Sequence, residues 1–269
     1  MASIDGTLLD FRRLDLLAIG NSPVYRLDAR AKVMATLIFI ITVVSFGRYE
    51  IAPLFPFFLF PVSMAAVGGL PLVYTARKVL LVLPFVILVG IFNPLFDHEV
   101  LVHLGPVGIS GGWISFSSVI LRALLTVGGA VILLAITGFP AICHALERLG
   151  MPKVFAMQLH FLYRYIFVLA EEGVRGARAR ELRTFGRKGM GIAPFGSLIG
   201  NLLLRTWLRG ERIHMAMLAR GFSGEFHVRN RTSFGLKECF FLSGWTLLFI
   251  FFRTGNPTEL LSRLISGML

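Results

Sequence analysis

Apolar residues along this chain gather in long runs, and the charged residues fall between them. The first run covers about 33–47, "VMATLIFIITVVSFG", and a short turn, "RYE", leads to a second over about 51–70. Pro53, Pro56 and Pro61 sit inside that second run and predict a kinked helix. Arg77 and Lys78 precede a third run at about 79–96, and a fourth follows at about 116–138. From 140 to about 233 the chain is less apolar yet keeps a helical period, first in "VFAMQLHFLYRYIFVLAEEGVRGARAREL". Pro194 suits the first turn of the next helix, "PFGSLIGNLLLRTWLRGERIHMAMLAR", and Gly221 is placed to end it. A last apolar run spans about 235–252.

Composition decides what these runs are. Of 269 residues, 55% are hydrophobic and only 16% charged, with a mean hydropathy of +0.75. Soluble domains carry about 25% charged residues, and a run of roughly 20 apolar residues crosses about 30 Å of hydrocarbon. Helices satisfy their own backbone polar groups in lipid. The predicted fold class is therefore an all-α integral membrane protein of about five transmembrane helices, with a cytoplasmic domain of two or three helices inserted before the last span. A sixth crossing arises if 154–170 also spans. The predicted division is a cytoplasmic arm over 1–32, four spans within 33–139, cytoplasmic helices over 140–233, and a last span with its tail over 234–269.

Charge sets the orientation. The net charge is +12, and most of the excess lies in the arm and in 171–233, where twelve Lys and Arg face five Glu. Loops rich in Lys and Arg stay in the cytoplasm. The outer loop "DHEVLVHLGPVGISGGW" contains neither. The chain thus starts inside and ends outside. Basic residues that flank spans do not make a nucleic-acid domain, so no nucleic-acid partner is expected. No cleavable signal is evident in the first 30 residues.

The spans lack chemistry of their own. All fifteen acids fall outside spans one to four, with Glu50 and Asp97 at span ends and Glu238 near the start of the last. Ion-coupled carriers need ionisable groups at membrane depth, and enzymes need acid, base or metal clusters. No P-loop is present, so ATP hydrolysis is not expected of this chain. Asp97, His98, Glu99 and His103 crowd the outer loop and have donors suited to a divalent cation. Three of the four are adjacent, however, and we read a solvated loop. Cys143 and Cys239 are read as small apolar packing residues. We therefore expect no catalytic residue, no metal site and no resident cofactor.

One short device occurs twice. "ARELRTF" holds Ala179, Leu182, Arg183, Thr184 and Phe185, and "AMLARGF" holds Ala216, Ala219, Arg220, Gly221 and Phe222. In each, the Ala, the residue before the Arg and the Arg itself share one helix face. A small residue lets a partner backbone approach, and the guanidinium can grip carboxylates or carbonyls. An aromatic beside an Arg is common at interface hot spots. The alternative is two helix ends that share Arg and Phe in an Arg-rich region.

Together with "SPVYRLDARAKV" (Leu27, Asp28, Arg30, Lys32) and "FLYRYIFVLAEE", "AMLARGF" resembles the transmembrane T component of energy-coupling factor transporters. The cobalt-type CbiQ branch is the most similar. The resemblance implies two cytoplasmic coupling helices, each ending in an Ala-Arg-Gly signature that docks into one ATP-binding subunit. Ala219-Arg220-Gly221 matches fully; Leu182-Arg183-Thr184 keeps only the Arg, and Arg180 competes with it. It also implies two ATP-binding cassette ATPases that hold ATP and Mg, and a separate membrane capture subunit for cobalt or nickel. Related systems carry vitamins. A stand-alone secondary cation carrier is the reading from another class.

Overall fold

A computed structural model describes residues 24–96, 100–104, 107–183, 192–222 and 234–255. Nine α-helices are described: α1 (Ala29–Val44), α2 (Leu59–Val67), α3 (Leu72–Gly90), α4 (Phe92–Phe96), α5 (Gly111–Thr137), α6 (Phe139–Arg148), α7 (Lys153–Arg183), α8 (Ile192–Ala219) and α9 (Leu236–Thr254). A 3-10 helix over Ala52–Phe58 precedes α2. Strands β1 (Val100–Leu104) and β2 (Val107–Ser110) pair antiparallel, with an irregularity between Val100 and Val102. This hairpin, in the predicted outer loop, is the one departure from helix among the described elements.

The chain divides into two compact units. One comprises residues 24–142 with 234–255, and the other 143–222.

In the larger unit α5 is central, since α1, α2, α3, α4 and the 3-10 helix all contact it. Its core is aromatic. Phe39 of α1 lies 4.8 Å from Phe60 of α2 and 5.6 Å from Phe249 of α9, ring centre to ring centre. Phe57 of the 3-10 helix stacks on Phe249 at 6.0 Å, and Trp245 meets Phe60 edge-on at 4.9 Å. Outward-facing positions are equally apolar: Leu81 and Phe85 of α3 and Phe240 and Leu247 of α9 are each at least 63% exposed. Exposed apolar surface on that scale belongs in lipid.

Two expected helices differ from the prediction, for physical reasons. The first helix starts at Ala29 and not near 33, because the Asp28 side chain accepts the Arg30 N–H at 2.9 Å and caps it. The proline-rich second run is the 3-10 helix followed by α2, with Pro56 inside the 3-10 turn. Among the described residues, two helices are by themselves long and apolar enough to cross a membrane, Thr75–Pro94 and Gly111–Thr137. Ala52–Val67 is apolar but shorter, α1 has 16 residues, and α9 carries Lys237, Glu238 and Arg253.

One end of this unit is clamped by arginines. The loop 45–50 follows α1, and Arg253 of α9 donates to the Ser45 carbonyl at 3.1 Å. Its guanidinium also lies 4.2 Å over the Phe46 ring and 3.8 Å from Glu50. Arg122 donates to the Gly47 carbonyl. Arg122 lies within the predicted fourth span, and weighing only the acids in that span passed over it.

Candidate functional site

The second unit is built on α7 and α8, of 31 and 28 residues. Leu198, Leu202, Thr206, Arg209, Ile213 and Met217 recur every three or four residues and are the half-buried positions of α8. They face α7 in the reverse direction. A Cβ on Gly176 would lie 3.0 Å from Leu198 Cδ1, and one on Gly173 would lie 3.6 Å from Leu202 Cδ1. Further along, Arg209 donates to Glu172 at 2.9 Å and Arg205 lies 3.6 Å from the same carboxylate. The two helices are therefore antiparallel, and glycine at 176 is what allows the close approach. Beyond Glu172 they part around a cavity of about 310 Å³, lined among others by Gln158, Tyr165, Thr206 and His214.

Antiparallel pairing separates the two repeats of the Arg motif. Each lies at the C-terminus of its helix, so they occupy opposite ends of the pair. A helix of this length spans about 42 Å.

The α8 end is well defined. Gly221 has φ +78°. Its N–H donates to the Leu218 carbonyl at 3.0 Å, and the Phe222 N–H donates to the Met217 carbonyl at 3.1 Å. This is a Schellman cap, which only a residue tolerant of left-handed backbone closes without strain. Gly221 thus ends the helix as its sequence position predicted. The cap places Arg220 directly after Ala219, the last residue of the helix. Ala216, Ala219 and Arg220 are exposed there, and Phe222 is half-buried. A cation at this position opposes the negative end of the helix dipole.

The α7 end is described as far as its last residue. Ala179 and Leu182 are exposed, Leu182 at 75%, and Arg183 closes the helix. Thr184 and Phe185 lie outside the described residues, as do Asp97, His98 and Glu99 of the outer loop. Arg180, the competing arginine, is half-buried.

The family assignment follows from comparison with known proteins. A family described as "Cobalt transport protein" (CbiQ) matches residues 20–234, most of the chain and both Arg motifs. The chain belongs to the CbiQ family of energy-coupling factor T components. An energy-coupling factor transporter transmembrane protein EcfT from Heliobacterium modesticaldum is 30% identical over 76% of this chain and 81% of its own. The cobalt transport protein CbiQ of Salmonella typhimurium is 26% identical over 47% of this chain and 58% of its own. A nickel permease, LarQ, of Lactiplantibacillus plantarum is 30% identical over 34% and 33%. This CbiQ-family chain is thus a membrane transporter component with an energy-coupling role, and its family is not a known class of enzyme.

Two charged groups of this T component escaped sequence reading. Glu172 meets arginines 33 and 37 positions away, a pairing visible only once the two helices are laid antiparallel. Arg205 and Arg209, four apart, do form one stripe, and that spacing is the signal that was available. Asp28, Lys32 and Glu238 are all buried, although each reads in sequence as flanking a span.

Proposed function

We propose that this chain is the force-transmitting membrane subunit of an ABC-type importer for cobalt. Two ATP-binding cassette ATPases would each grip one end of the α7–α8 pair, one around Arg183 and the other around Arg220. ATP and Mg would be held by those subunits, and the metal ion by a separate membrane capture subunit. When ATP closes the ATPase pair, the two helix ends are drawn together. The coupling helices then tilt or shift the capture subunit so that its cargo is released inward. In this reading five helices cross a prokaryotic plasma membrane, with the N-terminus and the coupling helices (140–233) cytoplasmic and the C-terminus outside.

One observation carries this reading: the repeated Arg-bearing helix ends lie at opposite ends of one antiparallel pair, and the Arg220 end is exposed on a fixed cap. Two separated, similar plugs suit two similar sockets. A second reading keeps everything but the cargo. It takes nickel as the ion, and the relative named as a nickel permease favours it.

The test is co-purification of this chain with its ATPases. Removing one member of a buried charged pair costs about 2–5 kcal/mol. Arg220→Ala and Arg183→Ala should each weaken retention of ATPase, and the double variant should abolish it. Normal ATPase yield with the double variant would overturn the proposal.

A further inference from the structure

Antiparallel packing fixes which residues share an end of the α7–α8 pair. Residues 176 and 198 face each other, as do 173 and 202. Gln158 of α7 and Met217 of α8 line the same cavity, so this register holds along the pair. Carried outward, it sets Phe155 of α7 beside Arg220, just past the end of α8. At the far end it sets Phe195 of α8 beside the last turn of α7, which closes at Arg183.

The two ends are built alike. Each combines the Arg at the C-terminus of one helix with an aromatic from the first turn of the other. Phe155 stands 28 positions before Arg183 and Phe195 stands 25 before Arg220, a difference of less than one helical turn. The pair thus approximates a two-fold arrangement in which α7 and α8 exchange roles.

Both rings are open to a partner. Phe155 is 63% exposed and Phe195 50%. Val154 at the first end and Leu182 at the second are exposed as well. Phe222, the aromatic that follows Arg220 in sequence, is half-buried instead. Neither α7 nor α8 is among the described helices apolar enough to cross a membrane. Apolar side chains gathered in the open on such helices mark an interaction surface. The described residues of this unit also carry eleven Lys and Arg against five Glu. A partner that fits both ends is therefore acidic where it meets the Arg and apolar where it meets the Phe, and it is present twice.

We propose that each ATPase socket takes a composite plug made by both coupling helices: Arg220 with Phe155 at one end, and Arg183 with Phe195 at the other. The Arg supplies the charge, and the Phe of the facing helix supplies the apolar anchor. Neither helix fills a socket alone, so parting the two helices would spoil both contacts together. The inference rests on the coupling role proposed above and names the residues that complete its contacts.

The experiment uses the full chain in nanodiscs with purified ATPase subunits, in a Cys239→Ser background. Phe155→Cys and Phe195→Cys each offer a thiol to a water-soluble maleimide. Saturating ATPase should slow labelling at both positions about tenfold. Adding Arg220→Ala should remove protection at position 155 and leave it at 195, and Arg183→Ala should do the reverse. Phe155→Ala and Phe195→Ala should each raise the ATPase concentration for half-maximal binding about tenfold, with thermal stability unchanged because both side chains are exposed. Leu204→Ala, an exposed change midway along α8, should bind ATPase as the wild type does. Undiminished labelling at 155 and 195 under saturating ATPase overturns the composite plug, as does wild-type binding by Phe155→Ala. Protection lost at the opposite position, or at both alike, overturns the pairing. A chain carrying Arg183→Ala and Arg220→Ala together that still binds ATPase normally is a different result, and overturns the coupling role itself.

Discussion

Gly221 shows how one residue can set the place of its neighbour's side chain. Its φ of +78° is what turns the chain at the end of α8 and leaves Arg220 directly after the terminal helical residue, Ala219. A Cβ at this position meets nothing within 4 Å, so substitution strains the backbone without a clash. Gly221→Ala should therefore cost about 1 kcal/mol of stability, the ordinary penalty of left-handed backbone for an L residue. Because Arg220 is retained, any drop in ATPase retention would report the geometry of the helix end, not its charge. Thermal unfolding and co-purification, run side by side, separate the two. Cys143 supplies the probe for such melts. It is 3% exposed, and burial pushes its thiol above the ordinary cysteine range. The thiolate is the reactive form. In a Cys239→Ser background, maleimide labelling should be slow at neutral pH, quicken as pH rises, and become fast once the protein unfolds. Rapid labelling of the folded protein at neutral pH would contradict the burial.

At the scale of elements, helical period and breakers were enough to locate the long helices, while the short α4 and α6 were not separated from their neighbours. Pro194 falls in the first turn of α8 and Gly221 ends it, as their chemistry requires. What period cannot supply is which helix packs on which. Gly176 reads in isolation as a weak point of α7; against α8 it is the place where Leu198 fits. The same holds for Glu172, whose partners lie on another helix. These two features should differ in strength. Glu172 meets arginines that are 40% and 70% exposed, so Glu172→Gln should cost less than about 1 kcal/mol and lose even that in high salt. Gly176→Leu places a branched side chain where the α8 Leu already stands, and overpacking of that kind costs about 1–3 kcal/mol. Melting the full chain in detergent at low and high salt should rank Gly176→Leu well above Glu172→Gln. The reverse order would mean that charge, not close packing, joins α7 and α8.

For the whole molecule, composition fixed the environment before any helix was placed, because a chain with so few charges cannot cover itself in water. The Arg motifs were legible for a different reason: the docking role proposed for them needs its chemistry on a few consecutive residues. The aromatic core was not legible, since Phe39, Phe57, Phe60, Trp245 and Phe249 come from four elements up to about 200 residues apart. In a chain with 25 Phe, nothing local marks the ones that meet. Their energetics also differ from those of a soluble core. Lipid tails are as apolar as a side chain, so the transfer of Phe39 from its surroundings contributes little to holding the helices together. What remains is packing, and Phe39 is fully buried, with rings of α2, α9 and the 3-10 helix around it. Phe→Ala in a soluble core costs about 3–5 kcal/mol, of which the cavity is one part. Phe39→Ala should cost about 2 kcal/mol, because the cavity stays empty while the transfer part largely disappears. Phe39→Leu should cost less, and both variants should retain ATPase at low temperature, where the fold is intact. Thermal unfolding in detergent, followed as loss of helical signal, would check the first point and co-purification the second. Loss of ATPase in a folded Phe39→Ala chain would mean that the membrane core shapes the coupling ends, and that the two units are not energetically separate.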